Sequence, residues 1–163
     1  MNIILIGMPG CGKSTVGVLL AKSMLYNFID TDLIIQGEFG EPLSEIINNR
    51  GTEEFKKIED NILSEIRVKS TVIATGGSAV YGEKAMQNLK NGGIAVYLKL
   101  PLEEIEKRII NIKTRGIVMD SGKTLKDIFS ERTPLYEKYA DVTVDCSSLT
   151  AEECVNKIIS LIG

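Results

Sequence analysis

Histidine and tryptophan are missing from this 163-residue chain, and cysteine is scarce, occurring only as Cys11, Cys146 and Cys154. Without an imidazole there is no Ser-His-Asp triad and no HExxH zinc site, so histidine-based nucleophilic and metalloprotease chemistry is excluded. An odd number of cysteines with no CxxC pair reads as reduced thiols in a cytosolic protein, not as a disulfide framework. A basic excess is missing too: 19 Lys plus Arg face 22 Asp plus Glu, a net charge of -3. Such a chain carries no general field for nucleic acid. No apolar run approaches the roughly 20 residues of a membrane-crossing helix. Met1 to Ile6 is apolar but has no basic residues before it and runs at once into Gly7, Pro9, Gly10 and Gly12, which is not the pattern of a signal peptide. A cytoplasmic monomer with no nucleic-acid or membrane partner is expected.

With 44% hydrophobic and 25% charged residues, the length suits a single domain over 1–163 with one sizeable core. Apolar runs bounded by Gly, Asn or Asp mark strands at Ile3 to Ile6, Thr71 to Ala74, Ile94 to Leu98 and Val142 to Val144, and Phe28-Ile29, running into Asp30, makes a short fifth. Between them lie helical spacings such as Phe55, Ile58, Ile62 and Ile66, or Leu102, Ile105 and Ile109, interleaved with Glu and Lys. Runs without polar alternation are strands buried on both faces, and strands alternating with helices imply right-handed crossovers. The expected fold is therefore α/β: three layers, with a five-stranded parallel sheet and helices on both faces. One segment, about 112–123, breaks the pattern with Gly116, Asp120, Ser121 and Gly122. It reads as a mobile lid or, more simply, a surface connection.

Gly7-Met8-Pro9-Gly10-Cys11-Gly12-Lys13-Ser14 matches GxxxxGK[ST], between a strand and a helical run from Thr15 to Leu25. Glycines there let backbone N–H groups converge on phosphate oxygens, and the helix N-terminus adds a favourable dipole. Lys13 would neutralise β- and γ-phosphate charge, and Ser14 would offer an oxygen to Mg²⁺. Guanine specificity is usually announced by NKxD, and the only Asn-Lys pair, Asn156-Lys157, is followed by Ile158-Ile159; ATP is the nucleotide expected. Cys11 lies at the start of the helix, where a small side chain fits or a thiolate is favoured.

Asp30-Thr31-Asp32 ends the second strand, at the edge where α/β sheets place their ligands. Two carboxylates beside a triphosphate repel it unless they serve a metal shell or a substrate hydroxyl. The plainer alternative is a cap on a helix from Leu33 to Phe39. Thr75-Gly76-Gly77-Ser78 follows the third strand and presents bare backbone at the same edge, either to a small ligand or merely as a tight turn.

Together these residues resemble the shikimate kinases over essentially the whole chain. The resemblance rests on the phosphate loop, Asp30-x-Asp32, Gly51 to Glu59 at the family's Gly-Glu-x-x-Phe-Arg-x-x-Glu, and Gly76-Gly77-Ser78 at its Gly-Gly-Gly. It continues through a lid opening with Arg115 and Arg132-x-Pro134-Leu135-Tyr136 after it. It implies transfer of the γ-phosphoryl group of MgATP to the 3-hydroxyl of shikimate, in aromatic amino-acid biosynthesis. It further implies that Gly10, Cys11, Gly12, Lys13, Ser14 and Thr15 hold the nucleotide, with Arg108 packing on adenine and Arg115 near the transferring phosphate. Asp32 matches the aspartate at the accepting hydroxyl, and Asp30 the one that reaches Mg²⁺ through water. Lys56 and Arg132 match the pair of arginines on the substrate carboxylate, Gly77 and Ser78 match backbone contacts to the substrate, and 31–69 is the substrate-binding helical region.

The chain departs from the family at Lys56, which stands for Arg, at Ser78, which stands for the third Gly, and at Gly116-Ile117-Val118, where Pro-Leu is usual after Arg115. A compact ammonium cannot make the planar two-pronged bond of a guanidinium. Lys56 and Glu59, three apart on α-helical spacing, are expected to interact. Alternatives that keep the same loop are a kinase for another small hydroxylated acid such as gluconate, a nucleoside monophosphate kinase, and a nucleotide-binding regulator without catalysis.

Overall fold

The computed structural model describes residues 1–109 and 122–163. Arg115, Gly116-Ile117-Val118 and most of the 112–123 segment lie outside the described residues.

Among the described residues, β1 (Asn2–Ile6), β2 (Asn27–Asp30), β3 (Thr71–Ala74), β4 (Gly93–Lys99) and β5 (Val142–Asp145) form one five-stranded sheet in the order β2-β3-β1-β4-β5. Every neighbouring pair is parallel, with Ile4 of β1 opposite both Ile73 of β3 and Ala95 of β4. Successive strand side chains leave opposite faces, yet Ile3, Ile4, Leu5 and Ile6 are each 0% exposed. Both faces of β1 are therefore covered, which is why the run is apolar without alternation.

The crossovers are helical. α1 (Lys13–Met24) follows β1, and α2 (Thr31–Phe39), α3 (Leu43–Arg50) and α4 (Thr52–Ser64) lie between β2 and β3. A short 3₁₀ turn, Ala79–Tyr81, and α5 (Glu83–Lys90) lead to β4. α6 (Leu102–Arg108), α7 (Leu125–Tyr139) and α8 (Ala151–Ile162) complete the chain. α1 packs on β1, β2 and β3 beside α8, whereas α5 packs on β1 and β4 beside α4. Capping boxes start α7, where Thr124 and Asp127 bond reciprocally, and α8, where Thr150 and Glu153 do the same. No helix among the described residues is long and apolar enough to cross a membrane.

One helix corrects its expected pattern. The fully buried stripe of α4 is Phe55, Glu59 and Leu63, while Ile58 and Ile62 are only half-buried and Ile66 lies beyond the helix end. A carboxylate thus occupies the middle of an apolar stripe, and the reason lies in the site it faces.

After β1 the chain passes to β2 on one side of the sheet, and after β4 it passes to β5 on the other. Connections that diverge in this way open a crevice at the carboxyl ends of the strands. The loops after β1, β2 and β3 all leave from that edge. α7 is anchored to it by Tyr136, whose ring stacks on Tyr97 at 5.2 Å and whose hydroxyl donates to the Gly77 carbonyl at 2.6 Å. Tyr136→Phe removes a buried hydrogen bond at constant shape, and it is expected to lower stability by about 1–2 kcal/mol in urea denaturation. An unchanged midpoint would show that the Gly77 loop holds itself.

Candidate active site

The first wall of the site is the loop between β1 and α1. Gly10 (φ 79°) and Gly12 (φ 93°) adopt left-handed backbone, and Gly12 is the N-cap of α1. A Cβ at Gly10 would lie 2.8 Å from the Ile109 side chain, so glycine is required there by space as well as by conformation. Lys13 is buried, and its Nζ donates to the carbonyls of Gly7 (2.7 Å) and Met8 (2.9 Å) and contacts Cys11 Sγ at 3.6 Å. The ammonium is thereby fixed in the hollow of its own loop. Cys11 is buried, with its N–H donating to the Met8 carbonyl at 3.2 Å, so its small side chain fills space beneath the loop. Arg108, exposed at the end of α6, reaches over the loop, with Nη1 3.8 Å from where a Cβ on Gly12 would stand.

The second wall comes from β2 and the start of α2. Asp30 accepts from Ser14 Oγ through Oδ2 at 2.9 Å and from the Asp32 N–H through Oδ1 at 2.9 Å. It therefore caps α2, the plainer of its two readings, and also holds the Ser14 hydroxyl. Asp32 is pushed up to about 6, first by burial and then by the Asp30 charge, with Lys13 opposing.

The third wall is Thr75 to Ser78. Bare backbone is needed here: a Cβ on Gly76 would stand 2.6 Å from Asp32 Oδ1 and 3.0 Å from Glu59 Oε2, and one on Gly77 would stand 2.9 Å from Arg132 Nη1. Ser78, the residue in place of a third glycine, donates its hydroxyl to Glu59 Oε1 at 2.5 Å. Glu59 is pushed up to about 7 by burial above all and also by Asp32, while the Ser78 bond and Arg132 favour its charged form. Arg132 of α7 is 1% exposed, and its Nε donates to the Tyr81 hydroxyl at 3.3 Å.

A cavity of about 400 Å³ joins the three walls. Gly10, Gly12, Lys13, Ser14 and Thr15 line it from the first wall, Asp30 and Asp32 from the second, and Gly76, Gly77 and Ser78 from the third, with Leu43, Phe55 and Arg132. Its size and polar convergence suit a small polyol beside a phosphate chain. Lys56 is not among the lining residues. Its Nζ pairs with Glu53 at 3.2 Å, not with Glu59 as its spacing led us to expect, and lies 4.2 Å from the Tyr81 ring centroid. Glu59 is turned inward to Ser78, which leaves the exposed Glu53 as the partner within reach on that helix.

Sequence reasoning reached Glu59 only through the motif, and it missed Tyr81. A signal for Glu59 was present: it sits four residues from both Phe55 and Leu63, and an acid at that spacing on an apolar stripe is a buried acid.

A parallel sheet in this strand order, with a phosphate-cradling loop after its central strand, defines the class of P-loop kinases. The comparison with known proteins narrows the class. A family model described as shikimate kinase matches residues 9–163, and the chain belongs to the shikimate kinase family. It is 37% identical to the shikimate kinase of Caldanaerobacter subterraneus subsp. tengcongensis over 161 residues, 97% of this chain and 94% of that protein. The shikimate kinase of Haemophilus influenzae is 35% identical over 165 residues, 99% of this chain and 92% of that one. The solved shikimate kinase from Acinetobacter baumannii in complex with shikimate superposes with a TM-score of 0.90 at 34% identity, covering 99% of this chain and 92% of that chain.

The buried carboxylates give stability a pH dependence that no histidine can obscure. A carboxyl whose folded pKa is raised binds more protons in the native state than in the unfolded one, so stability is greatest at low pH and is lost as pH rises. For Glu59 the window runs from the ordinary 4.5 to about 7. Complete loss across it corresponds to about 3 kcal/mol. Glu59→Gln, which can still accept from Ser78, should flatten the decline in urea-denaturation stability across that window. An equally steep decline in the variant would remove Glu59 from the account.

Proposed function

We propose that this protein is an ATP-dependent shikimate kinase that transfers the γ-phosphoryl group to the 3-hydroxyl of shikimate, a step of aromatic amino-acid biosynthesis. The observation that carries the reading is one cavity lined by Lys13 and Ser14 of the loop after β1 together with Asp32 and the buried Arg132. Membership of the family supports the substrate, and the A. baumannii relative is solved with shikimate bound.

The donors present fit Mg²⁺. Ser14 Oγ and Asp30 Oδ2, 2.9 Å apart, are hard oxygens, and among the described residues no group of three or more His, Cys, Asp or Glu could form an all-protein cage. That is the donor set of an ion that keeps water and shares phosphate oxygens. Bound MgATP supplies the transferable phosphoryl group and a divalent charge on its phosphates. The loop N–H groups and Lys13 offset phosphate charge, with Thr15 and Arg108 beside them. Asp32 orients the acceptor hydroxyl and takes its proton as the hydroxyl oxygen bonds to phosphorus and the bond to ADP breaks. Arg132 and Lys56 hold the carboxylate at the far end, Gly77 and Ser78 offer backbone to the ring, and 31–69 supplies that side of the pocket. Arg115 and the lid keep the roles that the family motif implies, charge relief at the phosphoryl group and exclusion of water.

An ADP-release assay with MgATP and shikimate, gluconate or AMP tests this: turnover should appear with shikimate, and turnover with AMP or gluconate alone would overturn the assignment. Lys13→Ala should be folded and inactive. Asp32→Asn should lower kcat by about 10²- to 10⁴-fold with little change in the KM for ATP. Because the Asp32 carboxyl of the free protein is pushed up to about 6, wild-type kcat/KM should fall as pH drops through that value, and this limb should vanish in Asp32→Asn. An unchanged kcat in Asp32→Asn would leave Asp32 with no role in the transfer.

A further inference from the structure

Tyr81 closes the 3₁₀ turn that follows Gly76-Gly77-Ser78, and no motif of the chain points to it. Two helices converge on this side chain. From α4, Lys56 Nζ stands 4.2 Å from the ring centroid. From α7, Arg132 Cζ stands 5.4 Å from the centroid and Arg132 Nε donates to the phenol oxygen at 3.3 Å. The phenol in turn donates to Glu131 at 2.6 Å, and Glu131 pairs with Lys123 at 2.7 Å. Burial and the neighbouring Glu131 carboxylate hold the phenol above its ordinary value, so it remains an O–H donor.

The two cations read as carboxylate holders thus share one aromatic ring. An aromatic face attracts a cation electrostatically, and the attraction grows as the pair is withdrawn from water. Lys56 needs such a support. An ammonium on a flexible stem is a point charge with many rotamers, whereas the family's arginine is a rigid fork. Here the stem is half-buried, the exposed Glu53 takes one donor, and the ammonium lies over the ring of Tyr81, which the Arg132 guanidinium also approaches.

We propose that Tyr81 is a positioning residue for the acceptor's carboxylate, its ring holding the Lys56 ammonium beside Arg132 so that lysine serves where the family uses arginine. This rests on the reading of Lys56 and Arg132 as the carboxylate's holders.

The test is a double-mutant cycle on the KM for shikimate in the MgATP assay. Tyr81→Leu and Lys56→Met should each raise that KM by about 2- to 30-fold. The double variant should be little worse than Lys56→Met alone, because the ring acts through the lysine. Tyr81→Phe, which keeps the ring, should recover most of the loss, and the KM for ATP should not follow. Pentafluorophenylalanine at position 81 preserves ring shape but reverses its quadrupole, and it should raise the shikimate KM relative to Tyr81→Phe; this arm holds even if Tyr81→Leu does not fold. Multiplicative effects in the cycle, or equal KM values for the two ring variants, would overturn the proposal for Tyr81 while leaving the carboxylate site intact. An unaltered KM in Lys56→Met would overturn the reading of Lys56 itself, and the proposal with it.

Discussion

Asp32 and Glu59 face each other across a backbone so bare that a single Cβ at Gly76 would stand 2.6 Å from one carboxylate oxygen and 3.0 Å from the other. Two acids cannot be buried so close without counter-charge and hydrogen bonds. Asp32 has Lys13 nearby, and Glu59 has the Ser78 hydroxyl and Arg132. This constraint links the phosphate loop, the α4 helix, the Gly76-Gly77-Ser78 turn and α7, since each contributes one group to the same balance. It also accounts for an acid on the apolar stripe of α4, and for an arginine that is 1% exposed on α7.

Ser78 takes on a clear purpose in this frame. A third glycine would leave Glu59 Oε1 without the hydroxyl that it now accepts from. The substitution therefore gives the buried acid of the site a hydrogen-bond donor. Lys56 is the deeper departure. A guanidinium can reach a carboxylate with two parallel bonds, whereas this ammonium is shared between Glu53 and the face of Tyr81. Of the two cations, only Arg132 lines the cavity, and Lys56 lies over the Tyr81 ring that Arg132 also approaches.

Much of this was legible in the chain itself. β3 spans Thr71–Ala74 as read, and β1 and β4 extend their apolar runs by one or two residues, because strands covered on both faces leave no polar alternation to blur the signal; the edge strand β5 extends by one residue although Thr143 and Asp145 are exposed. The phosphate loop and Asp30 were legible because local spacing alone places them at a strand end. α4 was misjudged because three isoleucines outweighed Phe55, Glu59 and Leu63, although the latter keep a strict four-residue spacing. Lys56 was paired with Glu59 because spacing cannot tell which of two glutamates turns inward. Tyr81 left no trace, for its role arises only when α4, the 3₁₀ turn and α7 are brought together.

The central claim is that the pocket opposite the phosphate loop is built for a carboxylate, gripped by Arg132 and Lys56 while Asp32 addresses the hydroxyl. The most direct measurement is kcat/KM for shikimate against its carboxamide, which has the same shape without the charge. A site with two cations committed to that charge should disfavour the amide by about 30-fold or more, since desolvated cations are left half-paired. Equal kcat/KM for acid and amide would contradict the account.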